Sequence, residues 1–486
     1  MRLSRLLSRA QVGVLPQNGN DQRDPEIGAL EYDSRRVVKN SLFFALKGLV
    51  TDGHMHLDQA LQKGAVAVVS EREKPKGFPL AWIRVSDIRP FMACVANAFY
   101  YQPSERLQLV GITGTNGKTT TAFLIHAMME QEAPGLLLGT VHASLHSKRW
   151  ETERTTPEAI DVQRILSEAI REGCRWGAVE VSSHALAFHR VYKCSFPVGV
   201  FTNLSQDHLD FHQTLEEYFQ AKHLLFRPCY NPGLRSAVIN GDDCYARRIE
   251  LPPGTRVVTF GLDRNADVFP LAQQTTVDAT EVDLSFFDRR LSLRSSLLGE
   301  HNLYNLMSAA AAGHLIGVSD DHIRRGVASL KCVPGRFERV GVNRDYAVLV
   351  DFAHTPIALK KVLDFCRQLT QKRVLCVFGC GGNRDRGKRP QMGAIAVEGA
   401  DRVFITSDNP RSEDPSEIIR EICFGIPEGS TNHETITDRR AAIERALEVA
   451  SSGDIVLVAG KGHETYQEIQ GEQIPFDDRE VVRELA

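Results

Sequence analysis

Residues 107–120 read LQLVGITGTNGKTT and run straight into TAFLIHAMME. The short apolar run predicts a buried strand, GTNG a tight turn, and the stretch after it a helix. A strand, a glycine-rich turn and a helix start form an anion cradle, because backbone N–H groups and the helix dipole converge on one point. Lys118 is placed to reach the outer phosphates of a nucleotide, and the Thr119 hydroxyl to bind Mg²⁺. The general pattern G-x-x-x-x-G-K-[ST] asks for Gly at position 112, where this chain has Ile112; only G-x-x-G-K-T, from Gly114 to Thr119, is intact. The alternative is a glycine-rich loop with an incidental lysine. The strand before and the helix after favour ATP or GTP, without naming a reaction.

Working outward, short apolar runs alternate with helical patterns along most of the 486 residues, which predicts an α/β protein. Polar breaks at Tyr101–Glu105 and Cys332–Arg336 divide it into pieces of ordinary domain size, 1–105, 106–333 and 334–486. With 58 Lys and Arg against 61 Asp and Glu, the net charge is -3, so no global basic field draws the chain to nucleic acid or acidic lipid. No apolar run reaches the roughly 18 residues that span a bilayer. The opening MRLSRLLSRAQVGV lacks the apolar core of a secretory signal, so a cytoplasmic location is expected. Ten scattered cysteines without a C-x-x-C pair predict reduced, buried thiols rather than a disulfide frame or a zinc site.

The strand GAVEV carries Glu180 near its C-terminal end, where ligands gather in parallel sheets. An acid there can hold Mg²⁺ opposite Thr119, or simply face solvent. In TNLSQDHLDFH (202–212), His208 and His212 share a face if the segment is helical. A zinc pair, a helper role near the metal and a plain structural role all remain open, since H-E-x-x-H is absent. In LEEYFQAKHLLF (215–226), Lys222 falls on the apolar stripe of Leu215, Tyr218, Phe219, Leu225 and Phe226. Such a lysine usually snorkels to water. The sharper reading is that burial frees a neutral amine, which can take up CO₂ as a carbamate suited to Mg²⁺.

In the last third, YAVLVDFAH ends a strand in Asp351 and His354; Asp351 either binds a ribose hydroxyl or caps a helix. VLCVFGCGGNRDRGKR runs into a turn bearing Arg384, Arg386, Lys388 and Arg389, a surface charge run or a receiver for carboxylate or phosphate. VFITSDNPRSEDP ends in Asp408–Arg411, and DIVLVAGKGHE in a glycine turn with Glu464. Arg384, Arg411 and Glu464 at strand ends would suit a zwitterionic amino acid with an extra carboxylate.

Ten segments, in order, carry a resemblance: GTNGKTT, TTPE (155–158), EVSSHAL, DHLDFH, the helix with Lys222, GEHNLYN (299–305), GRFE (335–338), DFAHTP, DNPR and GKGHE. From Asp33-Ser34-Arg35 to FDDRE near the end, the chain resembles the Mur ligases, ATP-dependent enzymes that build the peptidoglycan stem peptide. The resemblance implies three α/β domains: a small UDP-sugar-binding domain (1–105), a central P-loop ATPase domain with a mostly parallel sheet (106–333) and a C-terminal, Rossmann-like, amino-acid-binding domain (334–486). It implies that Ser34, Thr155, Thr156, Ser182 and Arg190 contact UDP-MurNAc-L-Ala-D-Glu. ATP would be held by Gly114, Thr115, Asn116, Gly117, Lys118, Thr119 and Thr120, with Asn302, Arg336 and Asp351 at adenine, phosphate and ribose. Lys118, Glu180, His208 and Lys222 would be catalytic, Lys222 as N6-carboxylysine. Thr119, Glu180, His208 and the Lys222 carbamate would bind Mg²⁺.

Arg384, Asp408, Asn409, Pro410, Arg411, Gly460 and Glu464 would bind the incoming amino acid. DNPR resembles the meso-diaminopimelate-adding form, since diaminopimelate has a distal carboxylate and lysine lacks one. Phe188 stands where a glutamine usually contacts the sugar-peptide, and Arg154 where an asparagine is common. The expected enzyme is a monomeric amide ligase that turns ATP into ADP and phosphate through an acyl phosphate. The rivals are a lysine-adding or folylpolyglutamate ligase and, from another class, a P-loop switch or motor.

Overall fold

The computed structural model describes residues 1–13, 24–48, 51–146, 148–152, 154–276 and 279–486. Three larger sheets follow one another along the chain. The first has four parallel strands in sequence order, Ala29–Glu31, Ser41–Phe44, Ala65–Ser70 and Ala81–Arg84. Helix Ile88–Phe99 buries Phe91, Met92 and Val95 in a core that also takes in Ala159 and Ile160, at the start of helix Ala159–Arg171. The first sheet is thereby tied to the middle of the chain.

The central sheet has eleven strands. Its inner strands are parallel, in the order Arg256–Phe260, Ser236–Asn240, Val198–Phe201, Gln108–Thr113, Trp176–Glu180 and Gly135–Leu138. Apart from the exposed Val257 on the outermost of them, their apolar residues are buried on both faces, which is why they read as continuous runs and not as alternating patterns. Val268–Thr275 pairs in parallel with Arg256–Phe260, and antiparallel strands finish both edges, Thr280–Phe286 and Arg289–Ser295 beyond it, Ala143–Leu145 and Lys148–Trp150 on the other side. The register is decisive. Ile112 pairs with Glu180 and Thr113 with Phe201, so the glycine turn, Glu180 and the Thr202–Asn203 step leave one edge of the sheet together.

The third sheet runs Glu338–Val340, Ala347–Asp351, Ile455–Ala459, Val374–Phe378, Arg402–Ile405, His433–Thr435, all parallel except the first. A hairpin of Tyr466–Ile469 and Glu472–Pro475 follows it, bridged to Arg411 through Ile469. The molecule is therefore a multi-domain α/β protein with parallel sheets. The cysteine expectation needs correction. All ten are free, but Cys229, Cys244 and Cys332 are exposed rather than buried. Among the described residues, no helix is long and apolar enough to cross a membrane.

Candidate active site

A cavity of about 640 Å³ lies between the C-terminal edges of the central and third sheets. On the central side, the glycine turn is held in one shape. Gly114 (φ +148°) and Gly117 (φ +87°) sit where a Cβ would overlap Thr202 Oγ1 and Asn305 Oδ1. The Asn116 N–H donates to Asn203 Oδ1 (2.9 Å), while Asn203 Nδ2 and Thr202 Oγ1 donate to the Asn116 carbonyl (3.0 and 2.6 Å). Thr115, Asn116, Gly117, Lys118, Thr119 and Thr120 all line the cavity.

Two lysines converge on one carbonyl. Lys118 Nζ donates to Gly114 O (2.9 Å) and Thr115 O (2.8 Å), and Lys222 Nζ donates to Gly114 O (2.7 Å). Lys222 is 1 % exposed, with Nζ 4.2 Å from the centre of the Tyr218 ring, so the snorkelling alternative is excluded. Burial, and then the neighbouring Lys118 charge, push its pKa well below the usual lysine value. Burial also lowers Lys118, against the pull of Glu180.

Glu180 is fully buried and does not face solvent. It accepts from Thr119 Oγ1 (2.9 Å), the Thr140 N–H (2.8 Å) and Thr140 Oγ1 (3.0 Å). The Glu180 carboxylate and the Thr119 and Thr140 hydroxyls are hard oxygen ligands of the kind Mg²⁺ prefers. Thr140 was not among the sequence candidates; its one signal is a polar residue just past the apolar run GLLL.

His208 and His212 do not share a helix face. His208 is left-handed (φ +55°) and precedes helix Leu209–His212. Both rings instead meet His184, with centroids at 4.8 and 5.5 Å. Burial, reinforced by neighbouring positive charge, lowers His184 to about 3 and His212 to about 4. Burial also takes His208 to about 4, although Asp207 opposes it. Among the described residues, no group of three or more His, Cys, Asp or Glu is arranged to hold a metal, so the zinc reading has no third ligand. Burial works upward on Asp207, yet His354, His208 and Lys388 hold it well below the usual carboxylate range.

Arg336 crosses from the third sheet. Its Nη2 donates to Thr119 Oγ1 (3.1 Å), its guanidinium lies 4.4 Å over the Phe352 ring, and its buried Nε has no hydrogen-bond partner among the described residues. Asp351 does not cap a helix. Thr355 caps the next one, and Asp351 Oδ2 accepts from the Phe337 N–H (2.6 Å). Asn302 lines the cavity and is braced by Asn305 (3.0 Å).

The expected sugar-peptide residues are divided. Thr155 and Ser182 line the cavity, Thr155 Oγ1 lying 3.0 Å from Thr140 Oγ1. Thr156 is fully buried and donates to the Glu180 backbone carbonyl (2.7 Å). Arg190 donates to Thr156 O (3.1 Å) and lies 3.1 Å from Glu158, which Arg154 also meets at 2.5 Å. The guanidinium groups of Arg89 (4.4 Å) and Arg190 (5.5 Å) both lie over the Phe188 ring. Ser34 lies in the turn after strand Ala29–Glu31, outside the cavity, and donates to Gln59 Oε1 (2.5 Å).

On the third-sheet wall stand Arg384, Asp408, Asn409, Arg411, Gly460 and Glu464, while Pro410 lies behind them. The basic turn is not one receiver. Arg389 is fully buried between Glu413 and Glu421, and Arg386 also pairs with Glu421. Arg384 and Lys388 remain on the cavity. Arg411 Nη1 donates to Gly382 O (2.8 Å) and its Nε lies 3.0 Å from Glu468. Lys461, also unforeseen, is fully buried behind Glu464.

Half-buried histidines held neutral make stability depend on pH. Burial lowers His126 and His301 to about 4, whereas the unfolded chain titrates near 6.5. The unfolded state therefore binds more protons as pH drops, and stability present above about pH 6.5 is lost towards pH 4. The thermal midpoint should fall between pH 7 and pH 5, and His126→Gln should flatten that fall; an unchanged slope would remove His126 from the account.

A glycine turn between strand and helix, a buried acid beside it and a second sheet closing the cavity define a nucleotide-type α/β enzyme fold. Comparison with known proteins is more specific. Residues 26–100 match the Mur ligase family, catalytic domain, residues 112–313 the Mur ligase middle domain, and residues 335–462 the Mur ligase, glutamate ligase domain. The UDP-N-acetylmuramoyl-L-alanyl-D-glutamate–2,6-diaminopimelate ligase of Solibacter usitatus is 45% identical over 462 residues, 95% of this chain and 93% of that one. The protein of the same name from Geobacillus kaustophilus is 43% identical over 488 residues, 99% of each chain. A solved structure of a ligase with this name aligns with a TM-score of 0.69 at 32% identity, covering 100% of this chain and 98% of that one. The MurF structure from Acinetobacter baumannii, at 18% identity and a TM-score of 0.70 over 94% of this chain and 95% of its own, shares the fold. The chain belongs to the Mur ligase family.

Proposed function

We propose that this chain is an ATP-dependent amide ligase that joins meso-diaminopimelate to the D-glutamate side-chain carboxylate of UDP-MurNAc-L-Ala-D-Glu, in peptidoglycan precursor synthesis. The carrying observation is one cavity with the phosphate loop and Thr119 on one wall and Arg384, Arg411 and Glu464 on the other. The two diaminopimelate ligases above, alike over at least 93% of both chains, support the same reading. In this reading residues 1–105 hold the UDP-sugar, with Ser34 at the uridine, residues 106–333 hold ATP and residues 334–486 the amino acid.

The D-glutamyl carboxylate attacks the γ-phosphorus of ATP, ADP leaves, and an acyl phosphate forms. The amine of diaminopimelate then attacks the acyl carbon; phosphate leaves and the amine gives up its proton. Lys118 and Arg336 stand where charge on the transferred phosphoryl needs compensation. Asn302 and Asp351 hold the adenosine part, and Thr155, Ser182 and Arg190 steer the glutamyl carboxylate. Thr119, Glu180, His208 and a carbamate on Lys222 would hold Mg²⁺, and the oxygen donors around Glu180 suit it. Bound there, Mg²⁺ supplies charge neutralisation on the phosphates. Arg384 and Arg411 receive the distal carboxylate, Asp408 and Glu464 the distal ammonium, and Asn409 serves the same site by holding Glu464.

The test follows oxygen. With ¹⁸O in the D-glutamyl carboxyl, one label should appear in the released phosphate, and release should need both the UDP-sugar dipeptide and the amino acid. Unlabelled phosphate would exclude the acyl phosphate, and release stimulated by another macromolecule without amide product would favour a switch or motor. Mass analysis of the product from mixed lysine and diaminopimelate separates the lysine-adding rival.

A further inference from the structure

We infer that Lys461 is a positioning residue for the amino-acid substrate, acting through Glu464 and Asn409; this rests on the amino-acid site proposed above. Lys461 is fully buried at the strand-end turn Gly460–Glu464, and its Nζ makes three hydrogen bonds: to Glu464 Oε2 (2.9 Å), Asn409 Oδ1 (3.1 Å) and Tyr466 O (2.6 Å). An ammonium has three donors, so none is left for a substrate. What Lys461 does is orient its acceptors.

Asn409 Oδ1 also accepts from the Glu468 N–H (3.0 Å), which turns the amide so that Nδ2 donates to Glu464 Oε2 (2.8 Å). Glu464 Oε2 thus has two fixed donors. Glu464 lines the cavity and its side chain is 21 % exposed, so Oε1 is the oxygen that can accept from an incoming ammonium. The same lysine joins three strand-end segments: the turn after Ile455–Ala459, the Asp408–Arg411 loop and the hairpin strand Tyr466–Ile469. Gln467 Nε2 adds a bond to the Asp408 carbonyl (2.8 Å). With its own charge met by Glu464, Lys461 lets the carboxylate stand at the cavity wall in one orientation.

The experiment compares Lys461→Met, Lys461→Arg, Glu464→Gln and the double variant Lys461→Met/Glu464→Gln in the full chain, measuring KM for diaminopimelate, ATP and UDP-MurNAc-L-Ala-D-Glu. Lys461→Met should raise the KM for diaminopimelate about 10-fold or more, since charge-assisted bonds are lost. The other two KM values should stay within about 2-fold, Lys461→Arg should recover part of the loss, and the double variant should be no worse than Glu464→Gln. Equal changes in all three KM values, or additive effects in the double variant, would overturn the inference by making Lys461 a plain fold residue. If Lys461→Met does not fold, the double variant, which removes both charges, decides against Glu464→Gln; failure of both to fold also overturns it. Glu464→Gln separates the two levels. If it leaves diaminopimelate binding intact, the amino-acid site itself is wrong; if it alone raises that KM, only the role of Lys461 is.

Discussion

Replacing Lys222 by alanine is expected to cost on the order of 10³-fold or more in turnover, the scale seen when one preorganised charge partner of a transition state is lost. The amine lies on the buried face of helix Leu215–His223, against the Tyr218 ring and the carbonyl of Gly114 at the start of the phosphate loop. With its pKa well below the usual value, a larger share is neutral, and a neutral amine takes up CO₂ to give a carbamate and a proton. The product is an oxygen-bearing anion in a place the sequence fills with a cation. Lys222→Ala deletes the stem and the anion together and leaves a gap that formate or acetate can enter, so these acids should restore part of the activity. Full activity in Lys222→Ala, or a loss that no small carboxylate relieves, would remove the carbamate from the mechanism.

Arg411→Ala is expected to raise the KM for diaminopimelate roughly 10- to 150-fold, the equivalent of about 1.5–3 kcal/mol for a charge-assisted bond, with the KM for ATP nearly unchanged. The loss has two parts. The guanidinium that would receive the distal carboxylate in the proposed site disappears, and Glu468, 3.0 Å from Arg411 Nε, is left as an uncompensated negative charge beside the place proposed for that carboxylate. Arg411→Lys should recover little, because Nη1 is tied to Gly382 O at 2.8 Å and a single ammonium cannot replace the remaining fork. Lysine, which has no distal carboxylate, should lose far less than diaminopimelate, so preference between them narrows. Equal KM changes for ATP and diaminopimelate would refute the assignment.

Features built from neighbouring residues were readable in advance. The strand Gln108–Thr113, the glycine turn and helix Lys118–Met129 are contiguous, and their propensities agree. Glu180 could be placed at a strand end by the same logic, but not recognised as fully buried, because that depends on Thr119 and Thr140 closing over it from two other segments. The histidine pair failed for a local reason: the left-handed backbone at His208 starts the helix one residue too late. The basic turn is split for a distant one, since Glu413 and Glu421 on a separate segment claim Arg389 and leave Arg384 and Lys388 on the cavity.

The sequence by itself determined the α/β class, the phosphate loop and, through the order of its motifs, the family. Only the tertiary structure decided that Lys222 is buried, that Thr140 and Asn203 line the cavity with Lys461 buried behind Glu464, and that Arg384, not Arg386 or Arg389, faces the cavity. The physical reason is range. Turn chemistry and hydrophobic period act over a few residues, whereas burial and ion pairing depend on strand register and on which distant segment arrives at the same sheet edge.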